Sequence, residues 1–140
     1  EYGEEPRSRR IAHRIVTVRQ NQSINTCKQL ADLVVSVCGR HGKTHPATRT
    51  FQGLRIAVNE EIDQLQKALA AAEALLKRGG KLCVLSYHSL EDRLVKHFMR
   101  EGVRNGRFAL LAKKPISASR QEVRSNPAAR SAKLRGVERL

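Results

Sequence analysis

The sequence predicts an α/β fold with an incomplete sheet, and three observations carry that expectation. A helical pattern ends at Gly79-Gly80, and the run that follows, Lys81-Leu82-Cys83-Val84-Leu85-Ser86, is apolar and too short for a helix. Helix, glycine pair and buried strand make half of a parallel α/β unit. Downstream, only 108–112 and 132–140 have strand character, so roughly three strands are expected where a doubly wound sheet carries more. No glycine-rich turn follows a strand and opens a helix, the usual cradle for a nucleotide-containing cofactor.

The elements follow in order. After Pro6, Ile11, Ile15 and Val18 recur at helical spacing among Arg7, Arg9, Arg10, Arg14 and Arg19, which predicts a basic amphipathic helix. A second helix takes Asn25 or Thr26 as its cap and buries Leu30, Leu33, Val34 and Val37. It stops at Gly39, which tolerates the left-handed conformation on which helices often end. Residues 39–46 form a polar loop. Pro46 suits a helix start, where its missing N–H costs nothing, and Phe51, Leu54, Val58, Ile62, Leu65 and Leu69 continue an apolar stripe behind it. One long helix or two abutting ones therefore run to about residue 76. The alanine-rich stretch 68–74 has high helix propensity and little bulk, which allows close packing on a sheet. After the strand, Ser89 is placed to cap a helix over 90–100 with Leu94, Val95 and Phe98 inward. A short helix over 119–124 precedes Asn126-Pro127 and the last strand.

Charge points to the class of partner. The 140 residues carry 27 Lys plus Arg against 13 Asp plus Glu, a formal charge of +14, which favours a polyanion. Residues 1–50 hold nine basic and four acidic side chains, 51–99 seven and six, and 100–140 eleven and three. A nearly neutral centre between basic ends suits a packed scaffold whose outer segments face phosphates, although a solvated surface has the same composition. Three Phe, two Tyr and no Trp leave few stacking platforms, which argues against a stand-alone single-strand binder. Cys27, Cys38 and Cys83 are widely spaced with no C-x-x-C pair, so they read as buried thiols in a reducing compartment, and no metal site is expected. No stretch approaches membrane-spanning length, so no membrane partner is expected. Residue 1 is Glu and the opening is polar, so the sequence reads as starting downstream of a portion that would carry any targeting signal.

Three runs gather polar groups. In Thr44-His45-Pro46-Ala47-Thr48-Arg49-Thr50-Phe51-Gln52-Gly53-Leu54-Arg55-Ile56, the residues His45, Thr48, Arg49, Gln52 and Arg55 include pairs three or four apart, so several can project from one side, where a guanidinium can engage phosphate in two places. A helix start with solvated arginines would carry the same residues. Ser86-Tyr87-His88-Ser89-Leu90-Glu91-Asp92-Arg93 lies at the carboxyl end of the strand, where open α/β sheets bind ligands. His88, Ser89, Glu91 and Asp92 are the catalytic candidates, but Glu91 and Asp92 would equally complement a helix dipole. The G-x-S-x-G elbow of a serine hydrolase is absent. In the tail, Lys113, Lys114, Arg130 and Lys133 are candidate phosphate contacts, with a solvated face as the plainer reading.

Taken together, the runs 44–58, 85–96 and 126–139, with the opening Tyr2-Gly3-Glu4-Glu5 and Arg9-Arg10-Ile11-Ala12, closely resemble the bacterial small-subunit ribosomal RNA (cytosine-N4)-methyltransferases. The resemblance covers nearly the whole chain in order. It implies a Rossmann-like methyltransferase domain that binds S-adenosylmethionine, with an inserted α-helical domain that helps to recognise RNA. Residues 1–55 would be most of that insert and 56–140 the second half of the methyltransferase domain, giving a partial sheet with an antiparallel edge pair. The resemblance maps His45, Arg49 and Arg55 to the RNA side of a site. The family's glycine-rich cofactor loop and its acidic site residues have no counterpart in these 140 residues. No cofactor-binding residue is therefore carried over, and the chain alone is expected to be inactive.

The implied partners are small-subunit ribosomal RNA or the small subunit itself, with a chain supplying the other half as a further partner to look for. The implied location is the cytoplasm of a bacterium, or a mitochondrion or plastid of a eukaryote. Two other readings remain open: a degenerate homologue that serves as a structural or assembly factor on the ribosomal subunit, and a basic nucleic-acid-binding module without enzymatic ancestry.

Overall fold

The computed structural model describes residues 2–40 and 44–140. Positions 41–43 of the expected polar loop lie outside the described residues. The described elements form two units, Glu1–Glu61 and Ile62–Leu140.

The first unit is helical. Helix α1 spans Ser8–Arg19 and helix α2 spans Cys27–Cys38. Thr26 caps α2 in a reciprocal box: its hydroxyl accepts from the Gln29 N–H, while the Gln29 side chain accepts from the Thr26 N–H. Gly39 closes the helix at φ 68°, as its position after the apolar run predicts. Ile11, Val34, Cys38 and Ala47 form the core here, with Ile15, Val37 and Phe51 packed against them.

Helix α3 spans Thr48–Val58, so it begins two residues beyond Pro46, and its buried residue is Ile56. Leu54 and Val58, expected inward, are exposed, Val58 by 80%. The apolar stripe drawn through them was continuous only in projection. Asn59 and Glu60, the latter at φ 51°, break the helical path before α4, which spans Glu61–Leu75, so of the two expected alternatives it is the pair of abutting helices that forms.

The second unit sets α4 and α5 (Ser89–Arg104) against a small sheet. Strands β1 (Lys81–Ser86), β2 (Phe108–Leu110), β3 (Ile116–Ser117) and β4 (Lys133–Arg139) adopt the order β1-β4-β2, with β3 also paired to β4. A short helix α6, Arg120–Ser125, and a 3-10 turn, Pro127–Ser131, lead into β4. Every pairing is antiparallel. This corrects two expectations. Strand β1 pairs antiparallel with β4 among the described residues rather than joining a parallel unit, and only its terminal Ser86 is buried, because its residues alternate between a helix-covered face and an open one. The open face also explains why Cys83 is exposed, and Cys27 is exposed in the first turn of α2, so of the three thiols only Cys38 is buried.

The core of this unit is Leu69, Val95, Met99, Phe108 and Val137. Gly102 in α5 makes room for the Phe108 ring: a Cβ at that position would stand 2.2 Å from the ring's Cδ2. Alanine normally stabilises a helix interior over glycine by about 1 kcal/mol. Here Gly102→Ala is expected to destabilise by about 1 to 3 kcal/mol through overpacking, read as a fall in the urea midpoint. An unchanged or raised midpoint would contradict this packing.

Candidate functional site

The turn from β1 into α5 brings the catalytic candidates together and gives each a partner. His88, not Ser89, is the N-cap, because its extended backbone (φ −137°, ψ 164°) turns the imidazole back over the first turn. His88 Nδ1 accepts from the Glu91 N–H at 3.3 Å. Glu91 Oε2 accepts in return from the N–H groups of Tyr87 at 2.9 Å and His88 at 3.3 Å. An accepting Nδ1 leaves the ring proton on Nε2, a buried atom 3.2 Å from Glu91 Oε1 without hydrogen-bond geometry. Ser89 opens the helix on its exposed side, and Ser86 is buried with an unpartnered hydroxyl.

Asp92 is 8% exposed and holds three charge-assisted bonds. Its Oδ1 accepts from Arg135 Nε at 2.7 Å, and its Oδ2 accepts from Arg135 Nη2 and Lys133 Nζ, both at 3.2 Å. The Arg135 guanidinium, helped by Lys133 and opposed by burial, holds the carboxyl below its usual value. Asp92 therefore stays ionised and paired. Arg135 is not among the candidates drawn from the sequence; the alternation Lys133, Arg135, Val137, Arg139 is the signal that these residues share one face of a strand.

In the helical unit, an open hollow of about 420 Å³ is lined by Arg7, Thr44, His45 and Arg49, among others. His45 Nδ1 accepts from the Ala47 N–H at 3.2 Å, which shapes the turn into α3. Arg7 Nη1 donates to the Cys38 carbonyl at the end of α2. Arg49 is exposed, and its Nη1 donates to the Glu4 carbonyl at 3.4 Å, a weak contact that leaves most of the guanidinium open. The segment carrying Glu4 crosses α3 at a glycine pair: a Cβ on Gly3 would stand 2.1 Å from the Arg49 carbonyl oxygen, and one on Gly53 would stand 2.9 Å from the Gly3 nitrogen.

Arg55 is placed apart from His45 and Arg49, in a two-pronged pair with Glu61 at 2.7 and 3.0 Å. Of the tail candidates, Lys113, Lys114 and Arg130 are exposed, whereas Lys133 is bound to Asp92. No helix among the described residues is long and apolar enough to cross a membrane.

The Asp92 cluster has a pH signature. Its carboxyl is held below 3.8 in the folded state, so its contribution is complete above the unfolded-state value and is lost as pH falls through the folded one. Asp92→Asn is expected to cost about 3 kcal/mol at pH 7, as removal of one partner of a buried pair does. The gap from the parent should narrow below about pH 4, read by denaturant unfolding at a series of pH values. A gap that is constant with pH would show that the charge plays no part.

The comparisons agree with one another. The model of the MraW methylase family matches residues 1–140. A protein of Rhodopseudomonas palustris (strain TIE-1) named "Ribosomal RNA small subunit methyltransferase H" is 52% identical over 153 residues, covering 99% of this chain and 46% of its own length. Proteins with the same name from a Synechocystis strain, 52% identical over 140 residues, and from Coprothermobacter proteolyticus, 50% identical over 134 residues, cover 100% and 96% of this chain and 45% of their own length. The chain thus spans a little under half the length of these relatives. The resemblance read from the separated runs is borne out: the chain belongs to the MraW methylase family.

Proposed function

We propose that these residues are part of an S-adenosylmethionine-dependent methyltransferase that modifies the N4 amine of a cytidine in small-subunit ribosomal RNA. The observation that carries this reading is the match along the entire chain to relatives named as small-subunit ribosomal RNA methyltransferases. Residues 1–55 serve as most of a helical RNA-recognition insert, and 56–140 as the second half of the catalytic domain. The organisms of the relatives are bacteria, so the site of action is the cytoplasm, where small subunits are made.

The residues present do not fit the cofactor. The described strand ends offer no glycine-rich turn, and the polar groups after β1 are taken: His88 and Glu91 by the cap, Asp92 by Arg135 and Lys133. We assign His88, Glu91 and Asp92 to holding the strand end in place, and the His45 and Arg49 hollow to RNA. The cytidine amine is a poor nucleophile because its lone pair is delocalised into the ring, so alignment of the RNA matters more than any single base.

In the full-length enzyme, Arg49→Ala is expected to lower methylation of small subunits at least tenfold while S-adenosylmethionine affinity stays within about twofold, because the guanidinium serves phosphate. Activity that stays unchanged removes Arg49 from the RNA site, and a parent enzyme that leaves the cytidine unmodified favours an assembly factor over a methyltransferase. Titration of S-adenosylmethionine into the 140-residue chain should release no binding heat. Saturable binding would mean that these residues form a pocket after all.

A further inference from the structure

The hollow at His45 and Arg49 leaves the most basic surface of the helical unit unused. Helix α1 has no acidic residue in its first turn, and Arg9, Arg10, His13 and Arg14 on it are all exposed. Among the described residues none of these four side chains has a hydrogen-bond or ion-pair partner. Asp32 shares a neighbouring hollow with Arg14 but is not ion-paired to it. Arg9 and His13, and likewise Arg10 and Arg14, are four residues apart, so the four form two adjacent rows along the helix. The Arg10 and Arg14 charges at that spacing repel, so this pair does not stabilise the helix. Among the described residues the fold itself therefore leaves this charge without a partner.

We infer that the face of α1 formed by Arg9, Arg10, His13 and Arg14 docks the phosphodiester backbone of structured RNA. The inference rests on the reading of the partner as RNA and adds a surface separate from the Arg49 hollow. Three features favour phosphate. The four side chains border, with Ser36 and Val37 of α2, an open hollow of about 560 Å³, large enough for phosphate groups. Guanidinium groups meet phosphate oxygens two at a time, and backbone contact fixes the register of a nucleic acid without reading its bases. No aromatic side chain lines the hollow, so bases have no stacking platform there. A bilayer is disfavoured because an interfacial helix needs its apolar face for lipid, whereas Ile11 and Ile15 are committed to the core with Val34 and Cys38.

The test measures binding of the 140-residue chain to a fluorescein-labelled RNA hairpin by anisotropy between 50 and 300 mM KCl, about the range over which phosphate contacts weaken steeply. Substitution of Arg9, Arg10 and Arg14 together by Gln is expected to weaken binding at least tenfold and to make the plot of log affinity against log salt shallower by about two to three. A charge-matched control replaces the exposed Lys67, Lys77 and Arg78 of the second unit by Gln, and should lose less than about threefold if position rather than net charge matters. Substitution of the three arginines by Lys should retain most of the slope. Circular dichroism of each variant checks that α1 is intact.

Equal losses in the α1 variant and the control, or an α1 variant that binds like the parent, overturn the docking surface and leave the proposed function standing. Displacement of the RNA by polyglutamate at equal charge concentration overturns it in favour of an acidic protein partner. A parent chain that does not bind the hairpin overturns both this surface and the assignment of RNA recognition to the helical unit.

Discussion

Burial of the Asp92 carboxylate against Arg135 and Lys133 is the constraint on which the second unit depends, because it ties the first turn of α5 to β4, the strand to which the other three are paired. A carboxylate removed from water is costly unless it is paired and its lone pairs are filled. Asp92 meets both conditions only if β4 lies in one register, with Lys133 and Arg135 facing the helix. A slip of one residue would turn both cations, and the fully buried Val137, to the other face. Glu73 acts near the far end of the same strand. Its Oε1 accepts from Arg139 and Arg107, and the Arg139 guanidinium lies 5.7 Å from the centroid of the Phe108 ring. One apolar contact between two charged clamps thus fixes a strand whose sequence is mostly polar.

That arrangement separates two uses of basic residues. Lys133, Arg135, Arg107 and Arg139 are engaged by the fold, two on Asp92 and two on Glu73, so half of their charge is offset there. Arg9, Arg10, Arg14, Lys113, Lys114 and Arg130 remain in water. The helical unit makes the same division: Arg55 pairs with Glu61, while Arg49 is left largely open beside a strap that crosses α3 at Gly3 and Gly53. A net charge of +14 therefore understates how unevenly free charge is distributed, and the free part is what an RNA backbone would meet.

Much of the fold was legible in the sequence. A cap at Asn25 or Thr26, the stop at Gly39, the bounds of β1 and the short helix after Ser119 all followed from signals that act within a few residues: periodicity, hydrogen-bonding caps and glycine at positive φ. The candidate site was less legible. His88 took the capping role expected of Ser89 because its own extended backbone aimed the imidazole at Glu91, a geometry that residue type alone does not specify. Leu54 and Val58 faced outward and Ile56 inward because helix rotation is set by what the helix packs against, not by the stripe itself.

By itself the sequence determined the order of the helices and of strands β1, β2 and β4, though not the two-residue strand β3, together with the excess of positive charge and membership of a family through several separated runs. Only the tertiary structure decided strand order, the antiparallel pairing of β1 with β4, and which polar residues are spoken for. The reason is range. Asp92 and Arg135 are 43 residues apart, and no local pattern distinguishes an arginine that pairs with a buried carboxylate from one left in water. The two are chemically identical until the chain folds and one of them loses its water.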